Sequence, residues 1–284
     1  MRGVIYLIIA ATVLVVAAVL ALVYRPVYRD AEMCAPDLES GQTIVIVDKT
    51  DPWNDNQAKM LETAIWGLVA NKMKTEERLV IFTFGEDFQT GFPPLFSRCK
   101  PPSGKEMDDI VQSREYYNRN YKKEFVDPLA EVLENVKKAQ NQRCSPIIEA
   151  LVDILKRQTI VDHPGTNTVV MFSDMAQNST NFSILHEGSC FERPASSPAN
   201  NKVGPGSAAA KGTAARDDME RILQFIEWNK GKLHKPGDQT PIPAIIYQVT
   251  PVNRQLEWVK RSARAKSEQL LKLLGIEVVR WWDF

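Results

Sequence analysis

The sequence predicts an α/β protein: a doubly wound, mostly parallel, Rossmann-like sheet preceded by one transmembrane helix. Three observations carry that prediction. A charge-free, largely apolar run opens the chain from Gly3 to Tyr24. Behind it, short β-branched runs recur, as strands buried on both faces require. Amphipathic segments of helical period separate these runs, the alternation that builds a parallel sheet covered by helices.

The apolar run is long for a signal peptide, whose apolar core is usually about 7–15 residues with small residues at the cleavage site. Leu22-Val23-Tyr24-Arg25 is a poor cleavage context. About 20 residues at 1.5 Å each cross a hydrocarbon core. Tyr6 and Tyr24 stand near the ends, where aromatic rings with a polar tip favour the interface. The expectation is an uncleaved anchor and flank over residues 1–29, contacting the bilayer through residues 3–24, and a single-pass membrane location.

Orientation is contested. Arg25 and Arg29 follow the run and only Arg2 precedes it, which by the positive-inside rule favours a cytoplasmic domain. The cysteines oppose this. Cys34, Cys99, Cys144 and Cys190 all lie in polar, Pro- or Gly-flanked segments, and an even set of loop cysteines reads as disulfides in an oxidising compartment. The balance tips to the extracytoplasmic side, periplasmic in a bacterium. At least one disulfide is expected. Cys99–Cys190 and Cys99–Cys144 rank above pairs using Cys34, which lies in a polar tether over residues 30–42.

One domain over residues 43–284 follows. Thr43–Val47 reads as the first buried strand. Leu61, Ala64, Ile65, Leu68 and Val69 mark a helix over residues 54–72, with Asp51 or Asn54 able to cap it. Leu79–Phe84 is a second strand, and residues 85–104 read as irregular. Helices are expected over residues 117–139 and from Pro146 onward, with Ser145 as the cap of the latter. Thr168–Phe172 is the next strand, ending at Ser173-Asp174. Residues 194–215 lack apolar bulk and read as a mobile loop. A helix over residues 217–228, a strand over Ala244–Val249, a helix over residues 253–274 stopped by Gly275, and a strand over Glu277–Trp281 complete the order.

In such a sheet, ligands bind beyond the carboxyl ends of the strands. Asp48 and Asp174 end two strands that should be parallel neighbours, and Ser145 enters a helix at the same edge. Carboxylates and hydroxyls together suit a hard cation. The motifs here are Asp48-Lys49-Thr50-Asp51-Pro52, Cys144-Ser145-Pro146 leading to Ala150-Leu151, and Val169-Val-Met-Phe-Ser-Asp174. Together they resemble the metal-site motifs of the von Willebrand factor A family. The resemblance implies that domain type, with Asp48, Thr50, Ser145 and Asp174 as metal ligands for Mg²⁺ or another divalent cation. It also implies a degenerate site, because Pro52 stands where the family has a second Ser. The same Asp and Ser residues, without metal, would serve as helix or turn caps or as a hydrogen-bonded network holding the loops.

Two function classes follow. The favoured one is a membrane-anchored, non-enzymatic interaction or scaffold module that binds a protein partner through loops at the carboxyl edge. The alternative is a membrane-tethered, metal-dependent hydrolase acting through the strand-end aspartates. No phosphate-binding Gly-rich loop, dinucleotide fingerprint or nucleophile elbow is present. His163, His186 and His234 lack metal-ligand spacing. Asn178-Ser-Thr180 and Asn181-Phe-Ser183 match a short glycosylation pattern. Lys+Arg and Asp+Glu number 35 each, a balance that argues against a nucleic-acid partner held by phosphate contacts.

Overall fold

The computed structural model describes residues 2–23, 29–35, 40–50, 53–106, 113–138, 142, 144–179, 181, 183, 190, 207–238, 240–249 and 257–283. In chain order the elements are α1 (Arg2–Val23), β1 (Gly41–Asp48), α2 (Asp55–Asn71), β2 (Glu77–Phe84), β3 (Phe96–Cys99), α3 (Arg114–Tyr121), α4 (Asp127–Val136), α5 (Ile147–Leu155), α6 (Gln158–Val161), β4 (Thr166–Ser173), α7 (Ser207–Lys230), β5 (Ile242–Gln248), α8 (Glu257–Leu273) and β6 (Ile276–Asp283). A five-residue π-helical turn, Lys122–Val126, joins α3 to α4.

The six strands form one sheet in the order β3-β2-β1-β4-β5-β6. The order reverses between β1 and β4, which are parallel neighbours with Val47 opposite Phe172. Only β3 runs antiparallel, along β2. This is the doubly wound, Rossmann-like architecture that buried strands alternating with helices require. Every residue of β1 is buried. Its Ile44 and Ile46 pack on one face with α5, α7 and α8. Its Val45 and Val47 pack on the other with α2 and α4.

Local chemistry accounts for the element ends. Asn54 caps α2 by accepting from the Gln57 amide, while the Gln57 side chain accepts from the Asn54 amide, a reciprocal capping box. Gly275 takes φ +78° between α8 and β6, the left-handed conformation that glycine adopts without strain. At the far end of α2 the buried Lys100 ammonium donates to the Val69 and Met73 carbonyls, both at 2.9 Å. A cation there meets the negative end of the helix dipole.

Several expectations need correction. The opening apolar run does fold as α1, and its side chains over residues 3–19 are exposed. Among the described residues, however, no helix is long and apolar enough to cross a membrane. The single-pass anchor, its bilayer contact through residues 3–24 and the membrane location built on it are therefore not supported.

The stretch read as irregular contains β3. The helix expected over residues 217–228 begins at Ser207 and runs to Lys230, so residues 207–215 of the expected mobile loop are helical. Residues 194–206 lie outside the described residues.

Both disulfides join pairs ranked low or left unranked. Cys34 bonds Cys99, with Cα atoms 4.8 Å apart, and Cys144 bonds Cys190, with Cα atoms 5.5 Å apart. Cys34 is no loose tether residue. The Asp30 carboxylate accepts from the Glu32 and Cys34 amides, and Arg29 pairs with Glu76. The Cys99 amide donates to the Glu32 carbonyl at 2.9 Å, which lays the segment along β3. Two intact disulfides fit an oxidising compartment.

Candidate functional site

The crevice where strand order reverses is built around Asp48, the last residue of β1. The pleat places it on the same face as Ile46, level with Ser173 at the end of β4. Its carboxylate is buried and accepts four hydrogen bonds. Oδ1 takes the Thr50 amide at 3.0 Å and the Thr50 hydroxyl at 2.6 Å. Oδ2 takes the Ser145 hydroxyl at 2.8 Å and the Ser173 hydroxyl at 2.9 Å. One side chain thus ties together the loop after β1, the entry to α5 and the end of β4.

Burial raises the Asp48 pKa above the ordinary carboxylate value, against the hydrogen bonds from Thr50, Ser145 and Ser173, which lower it. The donors stabilise the ionised form without fully offsetting the cost of removing it from water.

Of the four residues expected to gather here, Asp48, Thr50 and Ser145 are joined by hydrogen bonds. Asp174, which follows Ser173 in sequence, is buried too, and its Oδ1 accepts from the Ala176 amide at 2.8 Å, closing a local turn. Met175 follows with φ +61°, a left-handed conformation uncommon for a residue with a side chain. Ser145 was expected to cap α5. The cap position falls instead on Pro146, whose ring has no hydrogen-bonding atom to offer, and the Ser145 hydroxyl donates to Asp48.

Ser173 was missed. Its signal lay in the period-two alternation: it shares a face with Met171, directly level with Asp48, whereas the sequence reading gave the role to the neighbouring carboxylate.

A second buried carboxylate lies on α5. Glu149 accepts from the Gln177 amide group at 2.9 Å and from the Ser179 hydroxyl. Gln177 also accepts from the Ile148 amide at 2.7 Å, supplying a partner for the start of α5. Burial raises the Glu149 pKa, and the Ser179, Gln177 and Asn181 contacts oppose it. The Ser145 and Asn178 backbones exchange two hydrogen bonds, at 2.6 and 2.9 Å. The Cys144–Cys190 disulfide fastens the same junction. Asn178, Ser179, Asn181 and Ser183 of the glycosylation pattern therefore belong to this packed turn, three of them buried.

A cation at this edge would find oxygen ligands of the right chemical type. The arrangement nevertheless does not fit one as it stands. Each Asp48 oxygen already holds two donors, the described Asp174 oxygen contact is to backbone, and no group of three or more His, Cys, Asp or Glu side chains converges among the described residues. Asp51 and Pro52 lie outside the described residues.

Beside the Asp48 cluster opens a cleft of about 450 Å³, lined by Lys49, Asp87, Phe88, Gln89, Phe92 and Gln142 among others. The Gln142 amide donates to the Thr50 carbonyl at 2.7 Å, so the cleft wall is hinged on the cluster. A second cleft of about 380 Å³ shares Phe88 and is lined by Glu86, Cys144, Glu149 and Lys156.

Comparison with known proteins assigns no family. No family model matches the chain, and no curated protein matches it. Among solved structures it is similar to the human COPII-coat protein Sec24c, at 9% identity over 87% of this chain and 30% of that one. The TM-score is 0.33, too low to carry an argument. The expected membership of the von Willebrand factor A family is therefore overturned: the resemblance rested on short motifs, and no family model bears it out.

Proposed function

We propose that this protein is a non-enzymatic interaction module that binds a protein partner through the loops at the carboxyl edge of its sheet. The observation that carries this reading is the fourfold hydrogen bonding of Asp48. A carboxylate holding four donors is poorly placed to attack a substrate, since a nucleophile needs an exposed, activated lone pair. It is well placed to hold three loops in one fixed geometry, which lowers the ordering cost a partner would otherwise meet. The adjoining cleft offers aromatic rings, Phe88 and Phe92, beside charged and amide groups. That mixture suits protein recognition.

The test is photo-crosslinking in cells of origin, with a photoreactive amino acid at Lys49 or Gln89 in the full chain. Lys235, which lines a separate cleft at the amino edge with Thr166 and Ile242, is the control. One shared protein adduct from Lys49 and Gln89, absent from Lys235, is expected. A Mg²⁺-dependent hydrolysis of p-nitrophenyl phosphate lost in Asp48→Asn would instead establish the hydrolase alternative.

A further inference from the structure

β5 lies between two hydrogen-bonded neighbours, β4 and β6, yet its burial alternates. Ile242, Ala244, Ile246 and Gln248 are buried, while Pro243, Ile245 and Tyr247 are only partly covered. β1, equally interior, is buried throughout. The difference is topological. On the first face, helices α5, α7 and α8 extend the core out to β6. On the second face, the described core helices are α2 and α4 with the turn before α4, and β5 contributes only the partly buried Ile245 and Tyr247. The β5–β6 half of this face therefore has no described helix over it.

What this face presents among the described residues is specific. Tyr247 stacks on the core ring Phe172, centroids 4.6 Å apart. Trp282, opposite Tyr247 in the parallel register, is 46% exposed. Arg280, opposite Ile245, lies over the Trp282 ring at 5.3 Å. Glu277 stands opposite Pro243. An aromatic and aliphatic strip is thus flanked by one acid and one base.

The dimensions select the occupant. Two strands about 4.8 Å apart make a strip roughly 10 Å wide, the diameter of one α-helix. Seven residues of β5 span roughly 23 Å, the length of about 15 helical residues. Such a strip falls well short of the roughly 800 Å² per partner that a stable face-to-face dimer buries. Glu277 and Arg280 are separated by two β5 residues, about 6.6 Å, which is about four residues or one turn along a helix.

We propose that an amphipathic helix of a partner protein docks across β5 and β6 on this face. Its apolar stripe covers Ile245, Tyr247 and Trp282. One turn apart along it, an acidic residue meets Arg280 and a basic residue meets Glu277. This surface is distinct from the carboxyl-edge cleft, so it stands independently of the function proposed above.

The experiment places a photoreactive amino acid at Val279, the exposed, unpaired β6 residue next to Arg280, in the full chain in cells of origin, and at the exposed Trp228 of α7 as control. The adduct from Val279 is then mapped by peptide mass spectrometry. The expected result is one partner peptide of helical period with an acid and a base one turn apart. Its yield should fall about tenfold or more in Trp282→Ala or Arg280→Glu, as for a truncated anchor at the centre of an interface. Changing the mapped acid to Lys should restore the yield with Arg280→Glu. Both substituted residues are exposed, and a far-UV spectrum matching the parent confirms that the variants fold. No adduct, an adduct with a second copy of this chain, an adduct mapping to a strand or loop, or equal labelling from Trp228 would each overturn the proposal.

Discussion

Replacing Asp48 by Ala strands every donor the carboxylate now serves. The Thr50 amide is fixed by the backbone and cannot turn to water; a buried unpaired donor of that kind costs about 1–3 kcal/mol. The hydroxyls of Thr50, Ser145 and Ser173 can rotate, so each loses roughly the net value of one hydrogen bond, about 1 kcal/mol. Against this, the variant no longer buries a charge, a cost seen in the raised Asp48 pKa. The balance is a loss of about 3 kcal/mol, or roughly 6–12 °C in Tm for a domain of this size. Asp48→Asn behaves differently. Its amide oxygen still serves Thr50, and its NH₂ donates to hydroxyls that can turn to accept. Its loss should stay near 1 kcal/mol. Urea titration of the oxidised protein, followed by far-UV circular dichroism, reads both variants. Asp48→Ala within experimental error of the parent, or Asp48→Asn as damaging as Asp48→Ala, would refute the reasoning.

Other outcomes follow from the same contacts. Asp48 and Glu149 have pKa values raised by burial, so the native state holds their protons more tightly than the unfolded chain. The stability they add is complete below their ordinary values of 3.8 and 4.5 and is lost as pH rises through the higher native values. The parent should therefore lose stability, relative to a D48N/E149Q variant, as pH climbs from 4 to 7 in urea titrations; a parent that gains would contradict the assignment. Opening Cys34–Cys99, which closes a separation of 65 residues, should cost up to about 4 kcal/mol by chain entropy, read as the Tm of Cys34→Ser/Cys99→Ser. Lys100→Met removes two charge-assisted bonds from the end of α2 and should cost about 2–3 kcal/mol, with faster amide exchange in the last turn of that helix. Mg²⁺ in millimolar excess should leave Tm unchanged; a rise that Asp174→Ala abolishes would show a functioning cation site.

The sheet was legible in the sequence because its central strands are buried on both faces. Thr43–Val47 and Thr168–Phe172 are continuous β-branched and apolar runs, and such runs have few other uses in a chain of this composition. Gly275 announced its helix end for reasons as local as the residue itself, and Asn54 was one of two candidate caps, with Asp51, for α2. β3 was not legible. Phe96-Ser-Arg-Cys99 is four residues long at a sheet edge, where pairing with β2 decides the conformation and no periodicity can build. The disulfide pairing was hidden for a related reason. What fixes Cys34 is the Asp30 turn and the Arg29–Glu76 pair, the latter 47 residues apart in sequence.

At the candidate site, residue types indicated where chemistry gathers but not which side chain turns inward. The sequence placed Asp48, Thr50 and Ser145 together. It did not single out Ser173, because a carboxylate such as Asp174 draws attention and a serine beside it does not. Ser145 looked like a helix cap because Ser before Pro commonly is one. The tertiary partner, Asp48, is 97 residues away, and the local pattern carried no trace of it.

A double-mutant cycle between Asp48→Ala and Ser145→Ala measures most directly whether Asp48 is the common anchor of the carboxyl edge. If the Ser145 hydroxyl acts through Asp48, the two losses overlap, and the double variant should be more stable than their sum by about 1–2 kcal/mol. Losses that add to within about 0.5 kcal/mol would place Ser145 outside the network and contradict the account.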